Sequence, residues 1–128
     1  MIVDDDRETL LLLQKIATRF TDAEIECHRS PQAALASFEA LPGGYEFVIT
    51  DLEMPGLNGL ELCRLFRTLA PSLKILLVTG AGARTATLAE LVGMGFCGVV
   101  EKPFSIPALE SALVSASVVK TAAQPPAA

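Results

Sequence analysis

Lys74-Ile75-Leu76-Leu77-Val78-Thr79 is the stretch that decides the fold. Four aliphatic residues in a row leave no polar face. A strand here is buried on both sides, the pattern of a parallel sheet with helices over each face. Upstream, Tyr45-Glu46-Phe47-Val48-Ile49-Thr50 reads as a second strong strand that runs into Asp51. Between the two lies Pro55-Gly56-Leu57-Asn58-Gly59, a loop, then a helix over 60–69 that stops before Pro71. Downstream, Gly80-Ala81-Gly82 is a turn, 85–94 a helix, and 96–100 a strand running into Glu101-Lys102-Pro103. Ser105 as N-cap and Pro107 in the first turn open a last helix that reaches about residue 118.

The amino-terminal part repeats this alternation. Met1-Ile2-Val3 is a short strand that ends at Asp4-Asp5-Asp6. Residues 7–20 form a helix capped by Asp6, with Leu10, Leu11, Leu13, Ile16, Ala17 and Phe20 as its apolar stripe. Residues 24–28 alternate as a strand with Ile25 and Cys27 on one face. Ser30-Pro31 then opens a helix carrying Ala34, Leu35, Phe38 and Leu41, which ends at Pro42-Gly43-Gly44. Strand followed by helix, five times over, predicts an α/β fold: a doubly wound five-stranded parallel sheet with five helices.

Composition narrows the function. A chain of 128 residues is one domain. A hydrophobic share of 51% excludes disorder. No apolar run approaches the ~18 residues of a membrane span. The start, Met1-Ile2-Val3-Asp4, lacks the basic region of a signal peptide. A net charge of −5 argues against direct nucleic-acid binding. Cys27, Cys63 and Cys97 are odd in number, lie in apolar segments and lack metal-ligand spacing. They read as reduced thiols of a cytoplasmic protein. Residues 119–128, ending Thr121-Ala122-Ala123-Gln124-Pro125-Pro126-Ala127-Ala128, read as a flexible tail or the start of a linker.

Sites in doubly wound sheets form at the carboxyl ends of the strands. Those ends carry Asp4, Asp5 and Asp6, then Asp51, Thr79 and Lys102. Crowded carboxylates repel and call for a cation. An all-oxygen acidic site without imidazole or thiolate suits Mg²⁺. Asp51, central and preceded by the apolar strand, is the best nucleophile, because a carboxylate can accept a phosphoryl group as an acyl phosphate. Thr79 and Lys102 are then placed to bind phosphoryl oxygens. His28, on the expected edge strand, reads as an ordinary surface histidine.

Over residues 1–118 the chain resembles the response-regulator receiver domains of bacterial two-component signalling. The resemblance rests on Val3-Asp4-Asp5, Asp51-Leu52-Glu53-Met54-Pro55-Gly56-Leu57-Asn58-Gly59, Val78-Thr79-Gly80 and Glu101-Lys102-Pro103-Phe104, in that order. It implies a flavodoxin-like strand order of 2-1-3-4-5 and a signalling switch rather than an enzyme. It implies that Asp51 accepts a phosphoryl group from a sensor histidine kinase or a histidine phosphotransfer protein. Mg²⁺ would be held directly by Asp5 and Asp51, through water by Asp4, and by the main-chain carbonyl of Glu53. Thr79 would hydrogen-bond the phosphoryl group and Lys102 would pair with it. The peptide before Pro103 is often cis in the family. The output is implied to run through the face formed by the helix over 85–94 and the strand after it, toward a partner, an effector domain or a second phosphorylated copy. One position departs from the pattern. Three residues before the lysine the family usually carries Tyr or Phe, and here stands Val99.

Two other classes compete. A Mg²⁺-dependent phosphohydrolase also uses an Asp nucleophile and often a second acid two residues on, where Glu53 stands, but this chain has no insertion long enough to enclose a substrate. A degenerate receiver that only binds partners would not need the complete set of Asp4, Asp5, Asp51, Thr79 and Lys102.

Overall fold

The computed structural model describes residues 1–57, 59–80 and 95–116. The described strands are β1 (Ile2–Val3), β2 (Cys27–His28), β3 (Phe47–Asp51), β4 (Lys74–Gly80) and β5 (Gly98–Lys102). The described helices are α1 (Arg7–Ala17), α2 (Pro31–Ala40), α3 (Gly59–Leu69) and α4 (Ile106–Ser115). All strand pairs are parallel, and the order is β2-β1-β3-β4-β5. The expected helix over 85–94 and the expected tail over 119–128 lie outside the described residues.

The period of two along each strand divides the core in half. On one face Val3, Val48, Ile75 and Leu77 meet Ala34 and Phe38 of α2 and Leu62, Cys63 and Phe66 of α3. Phe38 and Phe66 stack there at 4.3 Å between ring centroids. On the other face Ile2, Ile49, Leu76, Val78 and Val100 meet Leu10, Leu13 and Ile16 of α1 and Leu109 and Leu113 of α4. The aliphatic run Ile75–Val78 thus supplies both halves of the core. That is why it shows no polar alternation.

Three of the four described helix starts follow from a side-chain cap. Asp6 accepts from the Thr9 N–H, Ser30 from the Ala33 N–H and Ser105 from the Ala108 N–H. Helix ends are less regular. α1 stops at Ala17 rather than Phe20, because Arg19 and Phe20 bond back to Ile16 and Ala17 in the tighter i to i+3 pattern. The Thr18 hydroxyl also bonds the Gln14 carbonyl. Leu11, expected in the apolar stripe, is 53% exposed, since Leu10, Leu13 and Ile16 already fill the contact with the sheet. Leu41 is 64% exposed because α2 ends one residue earlier and its backbone turns out of the helix at φ −150°.

Strand limits shift as well. β2 holds only Cys27 and His28 of the expected 24–28. β3 begins at Phe47 and includes Asp51. β5 runs over Gly98–Lys102 rather than 96–100, because Thr79 and Gly80 at the end of β4 pair with Glu101 and Lys102. Cys63 is buried, Cys27 and Cys97 are half-buried, and all three are free thiols.

The return from β3 to α3 is tight. The Gly59 N–H donates to the Leu52 carbonyl at 2.8 Å. A Cβ at this position would sit 2.3 Å from the Asp51 carbonyl oxygen and 2.7 Å from Leu52 Cα. Those are backbone atoms of the segment that carries Asp51, so the chain cannot move aside without moving the site. Gly59→Ala is expected to lose about 1–3 kcal/mol despite the better helix propensity of alanine. Urea denaturation checks it, and a loss under about 0.5 kcal/mol would mean that the loop yields freely.

Candidate functional site

The parallel register brings the ends of β1, β3, β4 and β5 to one rim. Asp4 follows β1 directly and its main-chain N–H donates to the His28 carbonyl at 3.1 Å, so it stays within the β1–β2 ladder. Asp51 is the last residue of β3. Carboxylate oxygens of Asp4, Asp5 and Asp51 all lie within 4.8 Å of one another. Asp4 is fully buried and Asp51 nearly so, while Asp5 is more open to solvent. At an effective dielectric constant of about 20, two charges at this separation repel by about 3–4 kcal/mol.

Lys102 offsets that repulsion. Its Nζ donates to Asp4 Oδ2 at 2.9 Å and to Asp51 Oδ2 at 2.9 Å. The remaining oxygens are held by main-chain donors. The Asp6 N–H reaches Asp4 Oδ1 at 2.9 Å, and the Glu53 N–H reaches Asp51 Oδ1 at 3.1 Å. Burial pushes the Asp4 carboxyl above its ordinary value, and the bonds from Lys102 and Asp6 only partly oppose this. For Lys102 burial acts to lower the pKa, but its bonds to Asp4 and Asp51 prevail and hold the ammonium above its ordinary value.

Thr79, the penultimate residue of β4, is 1% exposed, and its hydroxyl has no hydrogen-bond partner among the described residues. A buried hydroxyl without a partner is uncommon and costs about 1–3 kcal/mol. Asp6 is confirmed as the cap of α1 and takes no place in the acidic cluster. Glu53 joins the site through its main-chain N–H. The Lys102–Pro103 peptide is cis, as the resemblance implied. Val99, half-buried in β5, packs against the core on the α2–α3 face.

The donor set fits a hard cation. All three side chains offer oxygen, and two oxygens on one Mg²⁺ lie at most about 4.2 Å apart. The spread of 4.8 Å is within reach of small side-chain rotations. Three carboxylates and one ammonium leave a formal charge of −2, which one divalent ion neutralises. The structure brings Asp4, Asp5, Asp51 and Lys102 together, and it adds a contact from Arg29, which the sequence did not single out. Its Nε and Nη2 each donate to the Asp5 main-chain carbonyl at 3.4 Å. The pairing of β1 with β2 was the signal, since it sets the residue after His28 level with Asp4, one residue from Asp5.

The family model described as the response regulator receiver domain matches residues 1–114. The chain belongs to this family. It is 32% identical over 123 residues to the transcriptional regulatory protein FixJ of Bradyrhizobium diazoefficiens, covering 90% of this chain and 54% of that protein. Among solved structures, the receiver resembles FixJ-N at 29% identity and TM-score 0.71, covering 91% of this chain and 90% of that one. A receiver domain protein of Clostridium thermocellum matches at 24% identity and TM-score 0.74, covering 90% of each chain. The receiver spans about a quarter to a half of the length of the curated relatives it matches. Receiver domains of this family act as signalling switches rather than as enzymes. No helix among the described residues of this one is long and apolar enough to cross a membrane.

A raised Asp4 pKa means that the fold tolerates the ionised acid less well than the unfolded chain does. Stability on this count is complete below the unfolded value of 3.8 and is lost as pH rises through the raised folded value. Asp4→Asn mimics the protonated form at nearly constant shape. In EDTA at pH 7 the variant is expected to melt above the parent by on the order of 1 kcal/mol, or about 3–6 °C. The gap should close toward pH 3. A variant that melts lower at pH 7 would show that the Lys102 bond outweighs burial.

Proposed function

We propose that this receiver is a phosphoacceptor switch in which Asp51 takes a phosphoryl group from a phosphohistidine on a sensor histidine kinase or a histidine phosphotransfer protein. The observation that carries this reading is a nearly buried carboxylate paired with an ammonium, with a buried hydroxyl that has no partner among the described residues one residue beyond it in the strand register. A turn residue would not be built this way. An Asp51 carboxylate oxygen attacks phosphorus, the P–N bond breaks, and the imidazole leaves with a proton. Lys102 and the Glu53 N–H already donate to the acceptor carboxylate. Lys102 shifts from pairing two carboxylates to pairing the phosphoryl oxygens, where charge-assisted bonds are strongest. The Thr79 hydroxyl acquires its missing acceptor.

Mg²⁺ would be held by the carboxylates of Asp4, Asp5 and Asp51 and by the Glu53 main-chain carbonyl. It supplies Lewis-acid charge that offsets the phosphoryl oxygens. The chain's part is to gather the ligands on one rim and keep Lys102 beside them. The receiver then catalyses only its own phosphorylation and dephosphorylation. We assign the receiver unit to residues 1–118 and a tail or linker to 119–128, and we place the protein in the cytoplasm. The output passes through β5 and the segment before it to a partner, an effector domain or a second copy.

Acetyl phosphate with Mg²⁺ is expected to add one phosphoryl group to the parent and none to Asp51→Asn, read by intact mass. EDTA should suppress the reaction. An Asp51→Asn variant that still gains a phosphoryl group on another residue would overturn the assignment.

A further inference from the structure

We infer that Arg29 is the docking cation that admits the anionic phosphoryl group to this rim, an inference that rests on the reading of Asp51 as acceptor. Three carboxylates and one ammonium give the site a formal charge of −2, and a phosphoryl donor arrives with up to two negative charges of its own. Mg²⁺ would cancel that charge formally and leave the donor no net attraction to the site, so a cation at its edge is what draws the donor in. Lys102 is poorly placed to do so: it is mostly buried and both of its contacts are to Asp4 and Asp51. Arg29 is exposed. One edge of its guanidinium, Nε and Nη2, rests on the Asp5 main-chain carbonyl at 3.4 Å, which anchors the group one residue from Asp4. The Asp5 carboxylate itself lies within 4.8 Å of Asp51. Nη1 takes no part in that contact, and it offers N–H donors suited to phosphoryl oxygens.

The ladder makes the placement rigid. Asp4 N–H to His28 O fixes the end of β2 against the end of β1, and Ser30 caps α2 immediately afterwards. Arg29 thus stands between two anchored residues. Gln32, the second residue of that helix, packs against Gly56 in the loop that follows Asp51. The β2–α2 junction therefore touches both sides of the acceptor rim. A charge fixed within about one Debye length of the reacting centre raises encounter rates, and salt removes the effect.

The sign of the Mg²⁺ response separates docking from mere support of Asp5. A docking cation repels Mg²⁺, so its removal leaves Mg²⁺ affinity unchanged or tighter. A brace for Asp5 would loosen Mg²⁺ when removed. The experiment compares parent, Arg29→Gln, Arg29→Glu, Arg29→Lys and Arg7→Gln. Arg7, the first residue of α1, is exposed and matches the change in net charge. Initial phosphorylation rates are measured with acetyl phosphate and with phosphoramidate at saturating Mg²⁺, in low and high salt. Mg²⁺ affinity is titrated in parallel by the shift in melting temperature.

We expect Arg29→Gln to slow both donors roughly 3–10-fold at low salt and Arg29→Glu to slow them further. Arg29→Lys should keep most of the rate, Arg7→Gln should resemble the parent, and high salt should close the gaps. Equal rates in parent, Arg29→Gln and Arg29→Glu would overturn the inference. So would a loss matched by Arg7→Gln, which would assign the effect to net charge, or weaker Mg²⁺ binding with full rates at saturation. If the parent itself takes no phosphoryl group at Asp51, the underlying reading falls instead.

Discussion

The ammonium of Lys102 is the contact on which the acidic rim depends. Asp4 is fully buried and Asp51 nearly so, and without a cation their mutual repulsion would oppose the packing of β1 against β3. Lys102 sits on β5, two strands away from Asp51's strand, so it must reach across the end of β4. The residues at that end are Thr79 and Gly80. Gly80 has no side chain, and a Cβ there would meet nothing within 4 Å among the described residues. The register that pairs Gly80 with Lys102 sets the height at which the ammonium crosses.

This arrangement is strained in charge even though it is satisfied in hydrogen bonds. Both oxygens of Asp4 and of Asp51 have donors, from Lys102 and from the Asp6 and Glu53 N–H groups. Yet the sum of charges stays at −2, and burial still drives the Asp4 carboxyl upward. Buried ionic groups are weak evidence for stability, because desolvation consumes most of the attraction. The rim is better understood as a place where stability is given up to hold a receptive charge pattern.

Much of this was legible in the chain. Parallel strands gather their carboxyl ends on one edge, so a strand pattern alone sufficed to bring Asp4, Asp51, Thr79 and Lys102 together. Caps at Asp6, Ser30 and Ser105 were equally readable, because each is a local bond between residues three apart. What escaped the sequence was decided by tertiary competition. Leu11 and Leu41 have the hydrophobicity of core residues, but α1 already fills its contact with Leu10, Leu13 and Ile16, and α2 ends before Leu41. The limits of β5 depend on where β4 ends, not on the β propensity of Phe96. Arg29 carries no motif at all. It reaches Asp5 only through the β1–β2 ladder, a contact between residues 24 apart.

Thr79 and Val99 together bear on how a charge at Asp51 would be felt elsewhere. The Thr79 hydroxyl is buried at the end of β4 and has no partner among the described residues, so an incoming phosphoryl oxygen would give it an acceptor. Movement of Thr79 toward that oxygen would leave space behind it. In the family an aromatic residue usually stands three residues before the lysine and can swing into such space. Val99 is β-branched, stiff at χ1, and packed against the α2–α3 side of the core. It can neither fill the space nor make a hydroxyl contact. In the proposed switch any response beyond Thr79 must therefore travel through the backbone that follows β4, starting at Gly80, where a missing side chain makes φ and ψ cheapest to change.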